Sequence, residues 1–289
     1  MRRLLTCALV VAAAACGGAE EATPVATPGF SASKTRIPLG SPVDLTYSFD
    51  VAPGARIEAD YRVFVHFLDS EGQQMWTDDH DPPVPTSAWK PGQKVQYTRT
   101  VFMPIFPYQG PATVTLGLYN GPRLEDRLPL AGEGKGREYT VAKLEFLPQS
   151  ENIYLTFRDG WNPLEMAPDN PAREWQWMKK TGTLAFRNPK QDVTLYLEAD
   201  GRPDLFGSDP QVVRVFVNGA EVHQFTVDHK DPVLRRLPLS AAQLGTGETV
   251  EIRLEADKAF VPAQTPGLGG DPRELSIRVY HAFIEAVNN

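Results

Sequence analysis

The sequence predicts an all-β protein built from two consecutive β-sandwich domains. The chain of 289 residues contains 26 prolines and 23 glycines, and both residues interrupt long helices. Short apolar runs with a period of two recur from residue 30 onward, bounded by Pro, Gly and Asp. That period is typical of half-buried strands, and the chain length favours about two domains.

The first 15 residues, MRRLLTCALVVAAAA, have the features of an export signal. Arg2 and Arg3 precede an apolar run from Leu4 to Ala15. This run is too short to span a bilayer and ends in small residues. We therefore expect residues 1–15 to be a signal peptide that is removed after export.

Cys16 follows a run of alanines and precedes two glycines, which resembles the lipobox of bacterial lipoproteins. The resemblance implies that Cys16 is lipidated and anchors the protein to the membrane of the bacterial cell envelope, in the outer membrane or on its periplasmic face. Ala13 stands where that family usually has leucine. Two alternatives are ordinary secretion with cleavage near the same alanines, and a lipobox ending at Cys7, which would leave almost no apolar stretch.

Residues 16–29 predict a flexible tether. From Gly17 to Gly29 the sequence GGAEEATPVATPG has no aromatic residue and a single valine, so we expect it to contribute nothing to a core. As a flexible coil, the segment would hold the first domain on the order of 20 Å from the anchor.

Residues 30–148 predict the first sandwich. The run VDLTYSF should bury its Val, Leu, Tyr and Phe on one face, and YRVFVHFL is apolar on both faces, which indicates a central strand. The runs VQYTRTVFM, ATVTLGLYN and REYTVAKLEFL supply further strands. With an early strand near Ser31–Ile37, about seven strands fit an immunoglobulin-like sandwich.

Residues 152–289 predict a second sandwich after the polar run LPQSEN. Its strands are TGTLAFRN, DVTLYLEAD, QVVRVFVNGAEVHQFTV, ETVEIRLEA and RELSIRVYHAFIEA. The pair Asn218-Gly219 predicts a hairpin, because a type I′ turn needs positive φ at both central residues. Ser240 as a cap and Gly245 as a stop allow one short helical turn.

The second region resembles the galactose-binding-like jelly-roll sandwich of bacterial surface and carbohydrate-related proteins. The matching pieces, between Ile153 and Ala286, are DGWNPLE, WQWMKKTGTLAFRN, VRVFVNGAEV and FVPAQTPGLGGDPRELSIRVYHAFIE. That fold includes sugar binders, protein binders and structural domains. The resemblance therefore implies an architecture and leaves the ligand open.

The stretch MWTDDHDPPVPTSAW contains three weak candidate metal ligands, Asp79, His80 and Asp81. Adjacent residues rarely converge on one ion, and the sequence has neither a calcium-loop motif nor a zinc-binding spacing. We favour a structural loop in which the aspartates cap turn amides, the prolines stiffen the chain, and Trp76 and Trp89 dock the loop on the sandwich.

Trp161, Trp175 and Trp177 are the tentative ligand-binding residues, because sugar binders present such rings to the apolar faces of pyranoses. Trp175 and Trp177 are two residues apart, so a strand would place both on one face, with exposure at a groove as one outcome. The alternative, which we favour because tryptophans in sandwiches usually pack in the interior, is that these rings belong to a core.

The sequence favours a noncatalytic binding protein without a cofactor. No nucleophile, base and orienter grouping and no hydrolase or phosphate-binding motif occurs, and the formal charge of −7 argues against a nucleic-acid partner. We expect a saccharide as the ligand. The alternative is a structural or assembly lipoprotein that docks other envelope proteins, for which a broad apolar patch would be the sign.

Overall fold

The structure is a computed structural model that describes residues 23–287. The predicted signal peptide and Cys16 lie outside the described residues. Within them the chain is almost entirely strand, arranged in several sheets, so the all-β prediction is confirmed. The immunoglobulin-like and galactose-binding-like resemblances and the domain boundaries stay predictions. No helix between residues 23 and 287 is both long and apolar enough to cross a bilayer.

The first nine strands form the N-terminal sandwich. Their bounds are β1 Ala26–Ala32, β2 Arg36–Pro38, β3 Pro42–Val51, β4 Arg62–Leu68, β5 Gln74–Thr77, β6 Lys94–Phe102, β7 Gly110–Tyr119, β8 Gly134–Lys135 and β9 Glu138–Leu147. Short 3₁₀ helices occur at Thr86–Ala88, Leu124–Asp126 and Gln149–Glu151.

Ten further strands and two short α-helices follow. Their bounds are β10 Leu155–Phe157, β11 Trp161–Ala167, β12 Asn170–Met178, β13 Thr181–Arg187, β14 Val193–Asp200, α1 Pro203–Phe206, β15 Gln211–Val217, β16 Ala220–Val227, β17 Val233–Leu239, α2 Ala241–Leu244, β18 Thr249–Ala256 and β19 Arg278–Ala286, with a 3₁₀ helix at Pro262–Gln264 before β19.

The N-terminal sandwich consists of two sheets. Sheet I has the order β1-β3-β6, and sheet II has the order β2-β9-β7-β4-β5, with β8 paired to β9. Alternation along β3 is as predicted, since Val43, Leu45, Tyr47 and Phe49 are all buried in the core between the sheets. The burial of this single face fixes the register of β3 in sheet I.

Strand β4 lies between β7 and β5, as its two apolar faces predict. Val63, Val65 and Phe67 point into the core. Phe64 points to the other face of sheet II, where it is only 3% exposed. The connection between β7 and β9 covers it, with the Arg127 guanidinium 4.5 Å from the ring centroid.

The predicted tether is wrong at its C-terminal end. Strand β1 begins at Ala26, inside the segment 16–29, and pairs along its whole length with β3. Ala26 is buried, and Gly29 lies so close to β3 that an added Cβ would be 2.5 Å from the Ser48 hydroxyl. Hydrogen bonds between the backbones of β1 and β3 hold this segment in sheet I. The composition of the segment, which is mostly small residues, does not predict that pairing.

The early strand predicted near Ser31–Ile37 is two strands in different sheets. Strand β1 ends at Ala32 in sheet I, and β2 begins at Arg36 in sheet II. There β2 pairs with β9 in parallel, from Arg36 opposite Glu145 to Pro38 opposite Leu147. The chain therefore crosses from one layer of the sandwich to the other within residues 33–35.

The C-terminal sandwich also has two sheets. Sheet III has the order β10-β13-β18-β15-β16, and sheet IV has the order β11-β12-β19-β14-β17. The predicted hairpin joins β15 to β16, with φ of 49° at Asn218 and 86° at Gly219. The predicted helical turn is α2, capped by the Ser240 hydroxyl, which accepts from the Gln243 N–H. Both predictions are confirmed.

The two sandwiches have separate hydrophobic cores and touch through a mostly polar contact. Arg236 on β17 donates to the Asp44 carboxylate and to the Thr100 hydroxyl. Phe102 stacks on the His281 ring with centroids 4.2 Å apart and planes 7° apart. The N-terminal sandwich therefore packs against the outer face of sheet IV, and grooves remain beside this contact.

Candidate ligand-binding sites

The Asp78 carboxylate is buried and neutralised by its neighbours. The Tyr47 hydroxyl donates to it at 2.8 Å, and Arg99 donates through Nε and Nη2 at 3.0 Å each. Burial raises the pKa of the Tyr47 hydroxyl, and the negative charge of Asp78 raises it further. A paired, hydrogen-bonded carboxylate of this kind is a structural element of the core.

His80 is a neutral core histidine. Nδ1 lies 2.6 Å from the carbonyl oxygen of Asp78, and Nε2 lies 2.7 Å from the Tyr97 hydroxyl. Because a carbonyl can only accept, Nδ1 carries the proton and Nε2 accepts from Tyr97. Burial lowers the pKa of His80, which favours this uncharged form.

Asp79 and Asp81 have partners in different parts of the sandwich. Asp79 accepts from the Val65 N–H at 3.1 Å, and Asp81 pairs with Arg62 Nε at 3.0 Å. Trp89 packs against Phe49 and Trp76 against Phe67, as expected for tryptophans that dock the loop. The aspartates differ from the expectation, because their partners are a strand amide and side chains instead of turn amides. Between residues 23 and 287, no group of three or more His, Cys, Asp and Glu side chains is placed to hold a metal ion.

The three tentative ligand-binding tryptophans do not form an exposed platform. Trp161 is half-buried, donates from Nε1 to the Thr183 carbonyl at 2.9 Å and packs against Phe157. Trp177 is 8% exposed and half-buried Trp175 lies on the same face of β12. The two rings share a face, as predicted, and the burial of Trp177 agrees with the alternative that these rings belong to a core.

Arg278 covers both rings of that face. Its guanidinium lies 5.5 Å from the Trp175 ring centroid and 5.3 Å from that of Trp177. Asp200 fixes the guanidinium through two hydrogen bonds, of 2.7 and 2.6 Å. Each of the two rings therefore makes a cation–π contact within the protein.

A different pocket, of about 530 Å³, lies on the outer face of sheet II. We call it the outer-face pocket. It lies between β4 and the connection of residues 120–137 that joins β7 to β9 and contains β8. Its lining combines planar polar side chains with aromatic rings: Asp60, Arg62, Phe64, His66, Asp79, Tyr119, Asn120, Gly121, Pro122 and Arg127.

Gly117 makes room for the aromatic base of the pocket. Gly117 pairs with Phe64 across β7 and β4. A Cβ at Gly117 would lie 2.4 Å from Phe64 Cζ and 2.7 Å from the carbonyl oxygen of Arg137. The phenyl ring therefore lies across the glycine, with the Tyr119 ring 5.9 Å away in an edge contact.

Hydrogen bonds among His66, Glu138 and Thr115 orient the His66 ring. His66 Nδ1 lies 3.0 Å from Glu138 Oε1, and the same oxygen accepts from the Thr115 hydroxyl at 2.6 Å. The hydrogen bond from His66 is the main cause that lowers the pKa of Glu138, so Glu138 is ionised and accepts. Nδ1 of His66 therefore carries the proton that it donates to Glu138.

The charges around the pocket balance. Arg62 spans Asp81 and the Tyr119 hydroxyl, which it reaches from Nη1 at 3.2 Å. Asp60 accepts from the backbone N–H of Ser87 at 3.1 Å, and hydrogen bonds from Ser87 lower the pKa of Asp60. Two guanidinium groups and two carboxylates therefore line the pocket, and they offer both donors and acceptors.

Sequence reasoning missed most of these residues. The pattern of β4 shows Arg62, Phe64 and His66 as its second face, but the covering segment comes from far along the chain. Only Asp79 was already singled out, as a weak metal candidate. The signal that could have identified the site is the long connection after β7, which begins with an Asn-Gly pair at residues 120–121.

No protein-family model matches the chain, and no curated protein sequence matches it. Solved structures show weak likenesses. Bacteroides uniformis β-glucuronidase is 10% identical, with 91% of this chain and 30% of that chain covered and a TM-score of 0.29. The alkylpurine DNA glycosylase AlkC of Pseudomonas fluorescens, bound to DNA containing an abasic site analog, is 15% identical over 43% of this chain and 30% of that chain, also with a TM-score of 0.29.

The CBM51-2 and INT domains of Clostridium perfringens ZmpB, in complex with GlcNAc, are 11% identical. The match covers 89% of this chain and 41% of that chain, with a TM-score of 0.21. The chain thus spans less than half the length of these three structures. Likenesses with such TM-scores carry no argument about function, which has to come from the site.

Proposed function

We propose that the protein is an exported, lipid-anchored, noncatalytic saccharide-binding protein of the bacterial cell envelope. The outer-face pocket is the observation that carries the binding part of the proposal. A sugar hydroxyl both donates and accepts hydrogen bonds, and the pocket offers Arg62 as a donor and Asp79 as an acceptor, with the imidazole of His66 beside them. The Tyr119 ring supplies an apolar surface with a polar tip.

The balance of charge favours a neutral saccharide. An anionic ligand would meet the carboxylates of Asp60 and Asp79, and a cationic ligand would meet the guanidinium groups of Arg62 and Arg127. A polyhydroxylated neutral ligand pairs with both kinds of group at once. The volume of about 530 Å³ lies within the range of small-molecule sites, about 300–1,000 Å³.

The carboxyl groups support binding without catalysis. Hydrolysis of a glycosidic bond uses a carboxylic acid whose pKa is raised so that it can donate a proton. The hydrogen bonds from Ser87 lower the pKa of Asp60, and the hydrogen bond from His66 lowers that of Glu138. Both groups are therefore held ionised, as acceptors.

A glycan array followed by calorimetry on the strongest hit tests the proposal. We expect binding by the full-length protein, weakened about fivefold in Tyr119→Ala and about fivefold in Asn120→Ala, because lost stacking and one lost hydrogen bond each cost about 1 kcal/mol. Tyr154→Ala, at an exposed tyrosine outside the pocket, is the matched control and should leave the affinity unchanged.

Two results would contradict the proposal. One is the absence of binding to any glycan on the array. The other is binding that persists in both pocket variants and disappears in Trp175→Ala, since this result would place the saccharide site in the C-terminal sandwich. Unfolding midpoints of all variants exclude loss of folding as the cause.

A further inference from the structure

The sequence contains two Asn-Gly pairs, at residues 120–121 and 218–219. In such a pair the backbone nitrogen of the glycine can attack the side-chain carbonyl carbon of the asparagine, and the asparagine then loses its amide nitrogen. Glycine hinders this attack least, because it has no Cβ and adopts many backbone conformations. The two pairs have the same reactive atoms but different surroundings.

The fold holds the Asn218 side chain in place. Its Nδ2 donates to the carbonyl oxygens of Gln243 at 3.3 Å and Leu244 at 2.9 Å. The Asn218 N–H donates to the carbonyl oxygen of Glu251 at 3.2 Å. The Asn218 side chain therefore cannot bring its carbonyl carbon to the Gly219 nitrogen without breaking its own hydrogen bonds.

The Asn120 side chain is not held in this way. Asn120 is exposed and lines the outer-face pocket. Among residues 23–287, its side-chain amide has no hydrogen-bond partner. The backbone N–H of Gly121 also has none within this described part of the chain. The amide can therefore rotate toward Gly121, and the Gly121 nitrogen can lose its proton to hydroxide.

The turn after Asn120 requires glycine at position 121. An added Cβ there would lie 2.4 Å from Asp126 Oδ2. That oxygen accepts from the Arg123 N–H at 3.0 Å, and Arg123 Nη2 donates to Asp126 Oδ1 at 3.1 Å. These bonds hold the carboxylate against the glycine. The packing therefore requires the residue that makes Asn120 reactive.

We propose that Asn120 is a site of spontaneous deamidation, which converts the outer-face pocket to a more acidic form as the protein ages. The Gly121 nitrogen loses its proton to solvent and forms a bond to Asn120 Cγ. The bond from Cγ to the amide nitrogen breaks, ammonia leaves and a succinimide ring remains. Water then opens the ring at either carbonyl, which gives aspartate or isoaspartate. No atom is oxidised or reduced, so the step needs only water.

Deamidation would change what the outer-face pocket can bind. A side-chain amide donates as well as accepts hydrogen bonds, whereas a carboxylate only accepts. The two guanidinium groups and two carboxylates that line the pocket would be joined by a further carboxylate. A neutral saccharide should lose a donor and bind more weakly. This effect on affinity rests on the proposed function, whereas the deamidation itself does not.

Peptide mapping by mass spectrometry on the aged full-length protein tests the site. The protein is incubated at pH 7 and pH 8.5, in buffer and in urea, and is then cleaved with trypsin. Tryptic peptide 100–123 contains Asn120 and no other asparagine, and peptide 215–230 contains Asn218 and no other. Conversion of an amide to a carboxyl group is read from the mass of each peptide.

In the folded protein we expect Asn120 to deamidate about tenfold faster than Asn218, whose side-chain hydrogen bonds must break first. The rate at Asn120 should rise with pH, because hydroxide takes the proton from Gly121. In urea the two asparagines should react at similar rates, since unfolding removes the hydrogen bonds of Asn218. The measurement in urea is therefore the control for the intrinsic reactivity of the two pairs.

Calorimetry with the strongest glycan from the array tests the effect on binding. Aged natural protein and fresh Asn120→Asp should each bind about fivefold more weakly than fresh natural protein, the loss expected for one hydrogen bond. Asn120→Gln is the matched control. Its longer side chain closes a ring less readily, so the aged sample should keep the affinity of its own fresh sample.

Two outcomes would overturn the proposal. One is that Asn120 deamidates no faster than Asn218 in the folded protein. The other is that the deamidated protein binds the glycan as tightly as fresh protein, while Tyr119→Ala weakens binding. A lack of glycan binding by fresh protein would contradict the proposed function alone, and faster deamidation at Asn120 would still support the site.

Discussion

His80 illustrates how a residue in an apparent ligand cluster becomes part of a core. In the sequence it stands between two aspartates, which suggests shared coordination. In the structure the backbone alternates, so His80 and Asp78 point inward to Tyr97 and Tyr47, while Asp79 lines the outer-face pocket. The residue types were visible in the sequence, but their directions depended on the pairing of this segment with β4.

We expect the buried His80 to make stability depend on pH. Burial lowers the pKa of folded His80 below its ordinary value of 6.5, so the unfolded chain binds the proton more readily. The stabilisation is present above pH 6.5 and is lost as the pH falls from there through the folded pKa. One such group changes the free energy of unfolding by at most about 1.4 kcal/mol per pH unit.

Urea unfolding at pH 7.5 and pH 5.5 measures this effect. The free energy of unfolding should fall more steeply in the natural protein than in His80→Gln, which stays neutral. His229→Gln, at an exposed histidine, serves as the control and should keep the slope of the natural protein. Equal slopes in all three proteins would contradict a neutral, buried His80.

At the scale of elements, the sequence predicted turns and helix caps correctly. It did not predict which strands pair with each other. The Asn218-Gly219 turn and the Ser240 cap could be predicted because each depends on a few adjacent residues. The end of the tether, the division of the early strand and the cover over Phe64 depend on strands far away in sequence. The tryptophans of β12 were assigned to one face correctly, but Arg278, which covers them, lies on β19.

Gly117→Ala should disturb the junction of β4 and β7. A methyl group there would meet the Phe64 ring at 2.4 Å, and overpacking of this kind costs about 1–3 kcal/mol. We expect lower stability in urea unfolding and weaker saccharide binding, because the displaced ring would alter the base of the outer-face pocket. Gly54→Ala, with no atom within 4 Å of the added Cβ, should change neither. Unaltered stability in Gly117→Ala would contradict this packing.

At the scale of the whole molecule, the two sandwiches keep separate cores and meet through hydrogen bonds and an aromatic stack. Asp44, Thr100 and Arg236 join the sandwiches by hydrogen bonds, and no common core merges them among residues 23–287. The sequence could predict two sandwiches from strand spacing. It could not predict their contact, since each contributing residue is an ordinary polar or aromatic position of a strand.

The proposed lipid anchor concerns the whole molecule. If Cys16 is lipidated, the protein should sediment with membranes, and Cys16→Ser should move it to the soluble exported fraction, because a serine cannot carry the thioether-linked lipid. Cys7→Ser is the matched control and should remain with membranes. Release by Cys7→Ser with retention by Cys16→Ser would place the anchor at the other cysteine.

The parallel pairing of β2 with β9 sets an order of events during synthesis. Arg36 and its partner Glu145 are 109 positions apart, so β2 leaves the ribosome long before the strand that it needs. At about 5–20 residues per second, the delay is on the order of ten seconds. A chain that stops before residue 145 would leave β2 without its partner strand, and one edge of β7 would stay unpaired. Such nascent chains should be open to proteases and chaperones until β9 arrives.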